Sequence, residues 1–443
     1  MSDMRDRRGM SGSTRVVANT ALVIISLIVG ILMCELGLRM LGYGNPGDFK
    51  TPRKGMAPRY YYAADPVNGH DIAKSFSGDV FLLPDYIRTY GAPFAISSNS
   101  LGCRDRPFDP QDGYVLLLGD SFTWGYAALE ETWGAILEER IGVRVLKCGV
   151  GGYGTHQERN KLKAVVGQAG RPRLVVVGYT AHDLIDDYLY PGRSVVDGYM
   201  VTRIVLEDVR LGVRKVYTDD EIRTRLKSVL ERKPTGFLND LKEFLSDRSI
   251  LYDRLRQPEA LRLMAARLGL ATPPPSMDDP EHFLSVAEYP WLEQAWKDHL
   301  ENLRQLKSEV EAAGATLLVL MIPERTQVYE SFRSKEGHLQ WEYPNQRVTE
   351  FFQRDQIEFV DLLPEFSRYV RCIGSATSNT EEDLYWAHDG HINVKGNRFA
   401  GLLLSRQVLE RSLIESNDKS RRLSDIDQLI SAESRCDSVP SSE

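Results

Sequence analysis

From Tyr114 onward the chain alternates short apolar runs with longer stretches whose apolar residues recur every three or four positions. The runs Tyr114–Leu118, Arg144–Lys147, Leu174–Val177, Thr316–Met321 and Ile357–Asp361 predict strands, because Val/Leu runs without polar alternation suit burial on both faces. Between them, Glu131–Ile141, Thr155–Val166, Trp291–Ala313 and Tyr343–Phe352 predict helices. In the third helix Leu292, Ala295, Trp296, Leu300, Leu303, Leu306, Val310 and Ala313 form one core stripe, and His299 reads as part of an exposed charged face. This alternation argues for α/β architecture: a flavodoxin-like, doubly wound, five-stranded parallel sheet over residues 111–411.

The pattern breaks in three places. Residues 42–110 are rich in Gly, Pro and Tyr, and predict a linker with short-stranded structure packed on the sheet domain. Residues 188–289 are a charged insertion with helical stretches at Glu221–Arg232 and Phe237–Leu245 and an interruption at Pro273-Pro274-Pro275. A lid over the sheet's carboxyl edge, a membrane-facing subdomain and plain elaboration all fit it. Residues 412–443 are polar and predict a disordered tail.

A fourth departure lies at the start. Val16 to Cys34 is an almost uncharged run whose helical length, about 28 Å, matches a bilayer's hydrocarbon core. Leu32-Met33-Cys34-Glu35 offers no small-x-small cleavage site, so the expectation is a retained anchor over residues 16–38. Arg5, Arg7, Arg8 and Arg15 precede it, which keeps residues 1–15 cytoplasmic and the rest outside. In a bacterium the sheet domain then faces the extracytoplasmic side of the inner membrane.

A net charge of −7, with no basic stripe, argues against nucleic-acid binding. Of five cysteines, Cys34 falls in the apolar run and Cys436 in the tail. Cys103, Cys148 and Cys372 leave room for one disulfide of unassigned pairing and show no metal-ligand spacing.

Candidate chemistry begins where the first strand ends, at Gly119-Asp120-Ser121. A serine at the carboxyl end of a strand, opening a helix, sits among backbone N–H groups that stabilise negative charge. A serine nucleophile also needs a base, a group that orients the base, and oxyanion donors. His70, His282, His299 and His338 lie in unpromising surroundings. The stretch Trp386-Ala387-His388-Asp389-Gly390-His391 offers an acid two residues before a histidine, followed by a helix N-capped by Asn393.

GDS after strand one, the Gly-rich turn Gly149–Gly154 after strand two, His182-Asp183 after strand three and Asp389-Gly390-His391 before the last helix together resemble the SGNH (GDSL-type) hydrolase family. More narrowly, they resemble its membrane-anchored bacterial members linked to exopolysaccharide modification. Asn99 to Asp105 and Ile322 to Arg325 add further echoes, and the resemblance runs from about Asn99 to Glu410. It implies Ser121 as nucleophile, His391 as general base and Asp389 as its orienting acid. It also implies oxyanion donors from the backbone of Ser121, the backbone of Gly152 and the side chain of His182. Two departures stand out: His182 replaces the family's usual Asn, and Asp389 lies two rather than three residues before the histidine. Lys147 replaces a common Asn.

No cofactor is needed by such a site. Gly149–Gly154 also matches the dinucleotide pattern G-x-G-x-x-G, but no acid ends the next strand. A metal site from His182, Asp183, Asp186 and Asp187 lacks ligand spacing, and Asp186 and Asp187 read as solvated acids at a helix start. Three functions compete: hydrolysis of acyl (O-acetyl) esters on a glycan or other envelope molecule, O-acyl transfer through the same acyl-serine, and a silent glycan-binding scaffold.

Overall fold

The computed structural model describes residues 12–40, 57–230, 244–245, 248–252, 289–330, 339–373, 383–386 and 389–434. Residues 237–243 of the second helical stretch in the insertion, the three prolines at 273–275, His282, His338, His388 and Cys436 fall outside the described residues. The strands are β1 (Tyr62–Asp65), β2 (Gly69–Ile72), β3 (Asp79–Phe81), β4 (Phe94–Ile96), β5 (Val115–Gly119), β6 (Val145–Lys147), β7 (Leu174–Tyr179), β8 (Arg193–Val196), β9 (Tyr199–Thr202), β10 (Ile204–Asp208), β11 (Val213–Val216), β12 (Thr316–Met321) and β13 (Glu358–Asp361).

The central sheet has the order β13-β12-β7-β5-β6, and all of its pairs are parallel. Renumbered within the sheet this is 2-1-3-4-5, the flavodoxin-like doubly wound order expected from the sequence. Its strands carry apolar side chains on both faces because both are covered by helices. Val115 and Leu117 of β5 enter one core with helices Trp133–Ile141 and Val394–Glu410, while Leu116 and Leu118 enter a second with Thr155–Ala169 and Pro290–Ala312. The chain direction of the winding reverses between β5 and β7, and crevices for ligands open at the carboxyl ends of strands at such a switch point.

The helix Pro290–Ala312 buries Leu292, Ala295, Trp296, Leu303, Leu306 and Val310, as the spacing predicts. His299 corrects the sequence reading. It is fully buried on that stripe, with Nδ1 2.8 Å from Asp187 Oδ2 and Nε2 3.3 Å from the Tyr179 hydroxyl. Asp187, read as solvated, is likewise engaged by His299, by Asn302 and by the backbone N–H of His156. Each group satisfies the other, which is what lets polar side chains sit in a core.

The C-terminal region also departs from expectation. Lys419–Ser434 is a helix whose Ile426 and Ile430 are buried in the first core, so residues 412–443 are not a uniformly disordered tail. Leu363–Ile373 is a further amphipathic helix, burying Leu363, Phe366, Tyr369 and Val370.

The chain divides into two compact units, 1–54 with 230–274, and 55–229 with 275–443. The second holds the sheet, the β1–β2, β3–β4, β8–β9 and β10–β11 hairpins and the site. In the first, Gly12–Met40 is a helix with an apolar stretch, Asn19–Met40, of mean hydropathy 2.6, long enough to cross a bilayer. A signal sequence has the same properties. Within that unit Glu35 accepts hydrogen bonds from the backbone N–H groups of Ile250 and Leu251 and from the Ser249 hydroxyl, each at 3.0 Å, tying part of the insertion to the helix.

Candidate active site

The nucleophile position is built by a tight turn. Gly119 ends β5 with φ +143, and a Cβ there would lie 2.1 Å from Thr123 Oγ1. Asp120 caps the single turn Ser121–Trp124 by accepting the Phe122 N–H at 2.8 Å, and Thr180 donates to its other oxygen at 3.3 Å. The helix is thus one turn rather than a long one. Burial pushes the Asp120 carboxyl up to about 6, against the lowering effects of the Phe122 N–H and of His391.

The second half of the site comes from 270 residues further along. His391 Nε2 lies 2.8 Å from Ser121 Oγ, and its Nδ1 is hydrogen-bonded to Asp389 Oδ1. The loop is clamped on both sides. A bridge pairs Tyr385 with Ile392, the Trp386 N–H donates to His391 O at 2.8 Å, and Asn393 caps the helix Val394–Glu410 through the Gly396 N–H. Tyr126 stacks on the imidazole with 3.8 Å between ring centroids and 9° between planes, and Phe122 packs against it at 4.8 Å. These contacts leave the ring few alternative orientations.

The third predicted group sits at the end of β7, which pairs with β5 through Gly119 and Gly178. His182 Nδ1 is 2.6 Å from Glu324 Oε1. Burial lowers the basicity of this imidazole, but Glu324, Asp186 and Asp120 outweigh it and raise its pKa to about 9. At neutral pH His182 is therefore an imidazolium. Its partner belongs to Ile322-Pro323-Glu324-Arg325, whose Pro323 carbonyl accepts from the Tyr385 hydroxyl and whose Arg325 donates to the Trp386 carbonyl. This segment joins His182 to the His391 loop.

Of the glycine turn after β6, Gly151 lies closest to the serine: a Cβ built on it would be 3.9 Å from Ser121 Cβ. Gly152 follows with φ +76. Among the described residues neither the Ser121 nor the Gly152 N–H donates to another protein group. The turn is fixed by residues that sequence reasoning missed. The Tyr62 hydroxyl packs against Gly151, where a Cβ would lie 3.0 Å from it, and His70 Nε2 donates to Gly151 O at 3.0 Å. Burial pulls the His70 pKa down to about 4, so it serves as a neutral donor.

The segment Asn99–Asp105 braces the nucleophile from behind. Arg104 is buried and donates to the carbonyls of Trp124 and Ala127, with its guanidinium 3.9 Å from the Trp124 ring centroid. Cys103 forms a disulfide with Cys148, at the start of the glycine turn, and Cys372 is disulfide-bonded as well, so the single bridge expected from the sequence is corrected upward. Lys147 is held by Asp105 and Glu138 and points to structure rather than chemistry.

Ser121, His391 and Asp389 are thus in register for proton transfer, with His182 and the Gly151-Gly152 turn at the ends of the neighbouring strands. The solved structures that this chain resembles are distant from it. A structure of the protein YXIM of Bacillus subtilis is 15% identical with a TM-score of 0.36, over 74% of this chain and 64% of that one. The chain therefore spans less than two thirds of that protein's length. An acetyl xylan esterase is 12% identical over 67% of this chain and 99% of its own, with a TM-score of 0.31. A protein assigned as an SGNH hydrolase from Slackia heliotrinireducens is 12% identical over 67% and 98%, with a TM-score of 0.33. No family model and no curated protein matches the sequence.

Proposed function

We propose that this chain is a serine esterase of the SGNH type, anchored in a membrane by its N-terminal helix and acting on acyl esters outside the cytoplasm. The observation that carries the reading is the 2.8 Å contact between His391 Nε2 and Ser121 Oγ, continued on the far side of the ring by Asp389. His391 takes the Ser121 proton as Oγ attacks the ester carbonyl. The tetrahedral oxyanion forms against the N–H groups of Ser121 and Gly152 and the His182 imidazolium. Collapse expels the alcohol, which receives the proton from His391, and leaves an acyl-serine. Water enters with His391 again as base, and the acid departs.

His182 is the unusual member. An asparagine donates from a neutral amide, whereas this side chain brings a positive charge that Glu324 maintains. A charged donor strengthens as negative charge grows on the oxyanion, so the substitution is compatible with catalysis. The expected substrates are O-acyl esters, with O-acetyl groups on an envelope glycan as the specific proposal. Turnover of 4-nitrophenyl acetate by the full chain in detergent, beside Ser121→Ala and His391→Ala, tests the reading. The wild type hydrolyses it and both variants fall by at least about 10³-fold. Equal turnover in all three refutes the assigned roles.

A further inference from the structure

Resting on the reading of Ser121 as an acyl-accepting nucleophile, we propose that Arg193 forms a carboxylate-binding subsite beside the reacting ester, making the preferred substrates esters that carry a second, anionic group. The insertion supplies this residue: the β8–β9 hairpin packs on β1 and β2, and Arg193 opens β8. Its guanidinium lies directly against Gly152, where a Cβ would be 2.0 Å from Nη1 and 2.4 Å from Cζ. The φ of +76 at Gly152 favours glycine there. A Cβ built on Gly151 would be 3.9 Å from Ser121 Cβ, so the Arg193 charge stands one residue further along the glycine turn from the nucleophile.

Among the described residues the Arg193 guanidinium has neither a hydrogen bond nor an ion pair, although it is only partly exposed. Its neighbours Tyr62, His70 and Tyr126 are uncharged. The carboxylates of Asp71, Asp187, Asp197 and Asp389 are engaged by Lys161, His299, Arg223 and His391 respectively. A planar, permanently charged fork held beside neutral aromatic rings suits a two-oxygen anion. That carboxylate can belong to the acyl half, as in a dicarboxylic half-ester, or to the alcohol half, as in an acetylated uronic acid.

Both sources are separable with the full chain in detergent and the variants Arg193→Gln and Arg193→Lys. One pair of substrates is 4-nitrophenyl hemisuccinate against 4-nitrophenyl acetate; the other is acetylated oligogalacturonate against acetylated xylo-oligosaccharide. The kcat/KM preference for the anionic member of at least one pair falls about tenfold or more in Arg193→Gln and returns in part in Arg193→Lys. The pair that responds identifies the half carrying the carboxylate. Preferences that stay unchanged in both pairs overturn the subsite. Calorimetric binding of succinate and oligogalacturonate to the Ser121→Ala chain requires no turnover. Arg193-dependent binding with an inactive wild type would sink the esterase reading and keep the subsite; an active wild type whose Ser121→Ala form binds neither anion would do the reverse.

Discussion

At the scale of single residues, the proposed site combines the Ser121–His391 contact with a charged donor, and the donor brings a pH response of its own. His182 is protonated below about 9 because Glu324, Asp186 and Asp120 surround it. When it loses a proton, Glu324 keeps the remaining one on Nδ1, so the other nitrogen becomes an acceptor and no longer faces an oxyanion as a donor. Esterase activity should therefore fall as pH rises through about 9, and kcat/KM measured across that range checks it. His182→Asn should retain activity and lose this alkaline limb, whereas His182→Ala should cost on the order of 10²–10³ in kcat. Asp389→Asn should lower kcat by about 10⁴ while leaving the fold intact by circular dichroism. The raised pKa of His182 also stabilises the folded state, fully below the free imidazole value of 6.5, and this contribution is lost as pH rises from there through about 9.

The elements show why some of this was readable in advance. Ser121 and His391 announce themselves because a serine ending an apolar run and a histidine before a capped helix need only local context. Glu324 was visible only as an echo in a short loop, since its meaning depends on contact with a residue 142 positions away. Tyr62 and His70 carried no signal at all: they lie in four-residue strands where no periodicity can develop. The C-terminal helix is different, because Leu423, Ile426, Leu429 and Ile430 repeat at helical spacing within a polar background. Removing residues 417–443 should lower the thermal midpoint, by exposing the core that Ile426 and Ile430 cover; differential scanning calorimetry reads it. The Cys103–Cys148 link closes a loop with a sequence separation of 45, and its chain-entropy contribution is about 4 kcal/mol. Cys103→Ala/Cys148→Ala should therefore lose stability in urea by roughly that amount, with a steeper denaturant slope because the unfolded chain without the cross-link exposes more surface.

For the molecule as a whole, the five-stranded order followed from the run of Val/Leu strands and helices, while the roles of the flanking segments did not. The N-terminal extension, expected as a linker with short-stranded structure packed on the sheet domain, supplies the braces of the glycine turn, and the insertion supplies Arg193. Anchoring is a separate expectation at this scale: the full-length chain should stay in the membrane fraction after alkaline carbonate washing, at undiminished mass. A soluble product shortened near Cys34 would contradict it. The central claim is that Ser121 is an activated nucleophile, and the most direct measurement is peptide mass spectrometry after reaction with a fluorophosphonate. A single adduct on the Ser121 peptide, lost in His391→Ala, is the predicted result; a folded wild-type protein that remains unlabelled, or that is labelled equally well without His391, would contradict it.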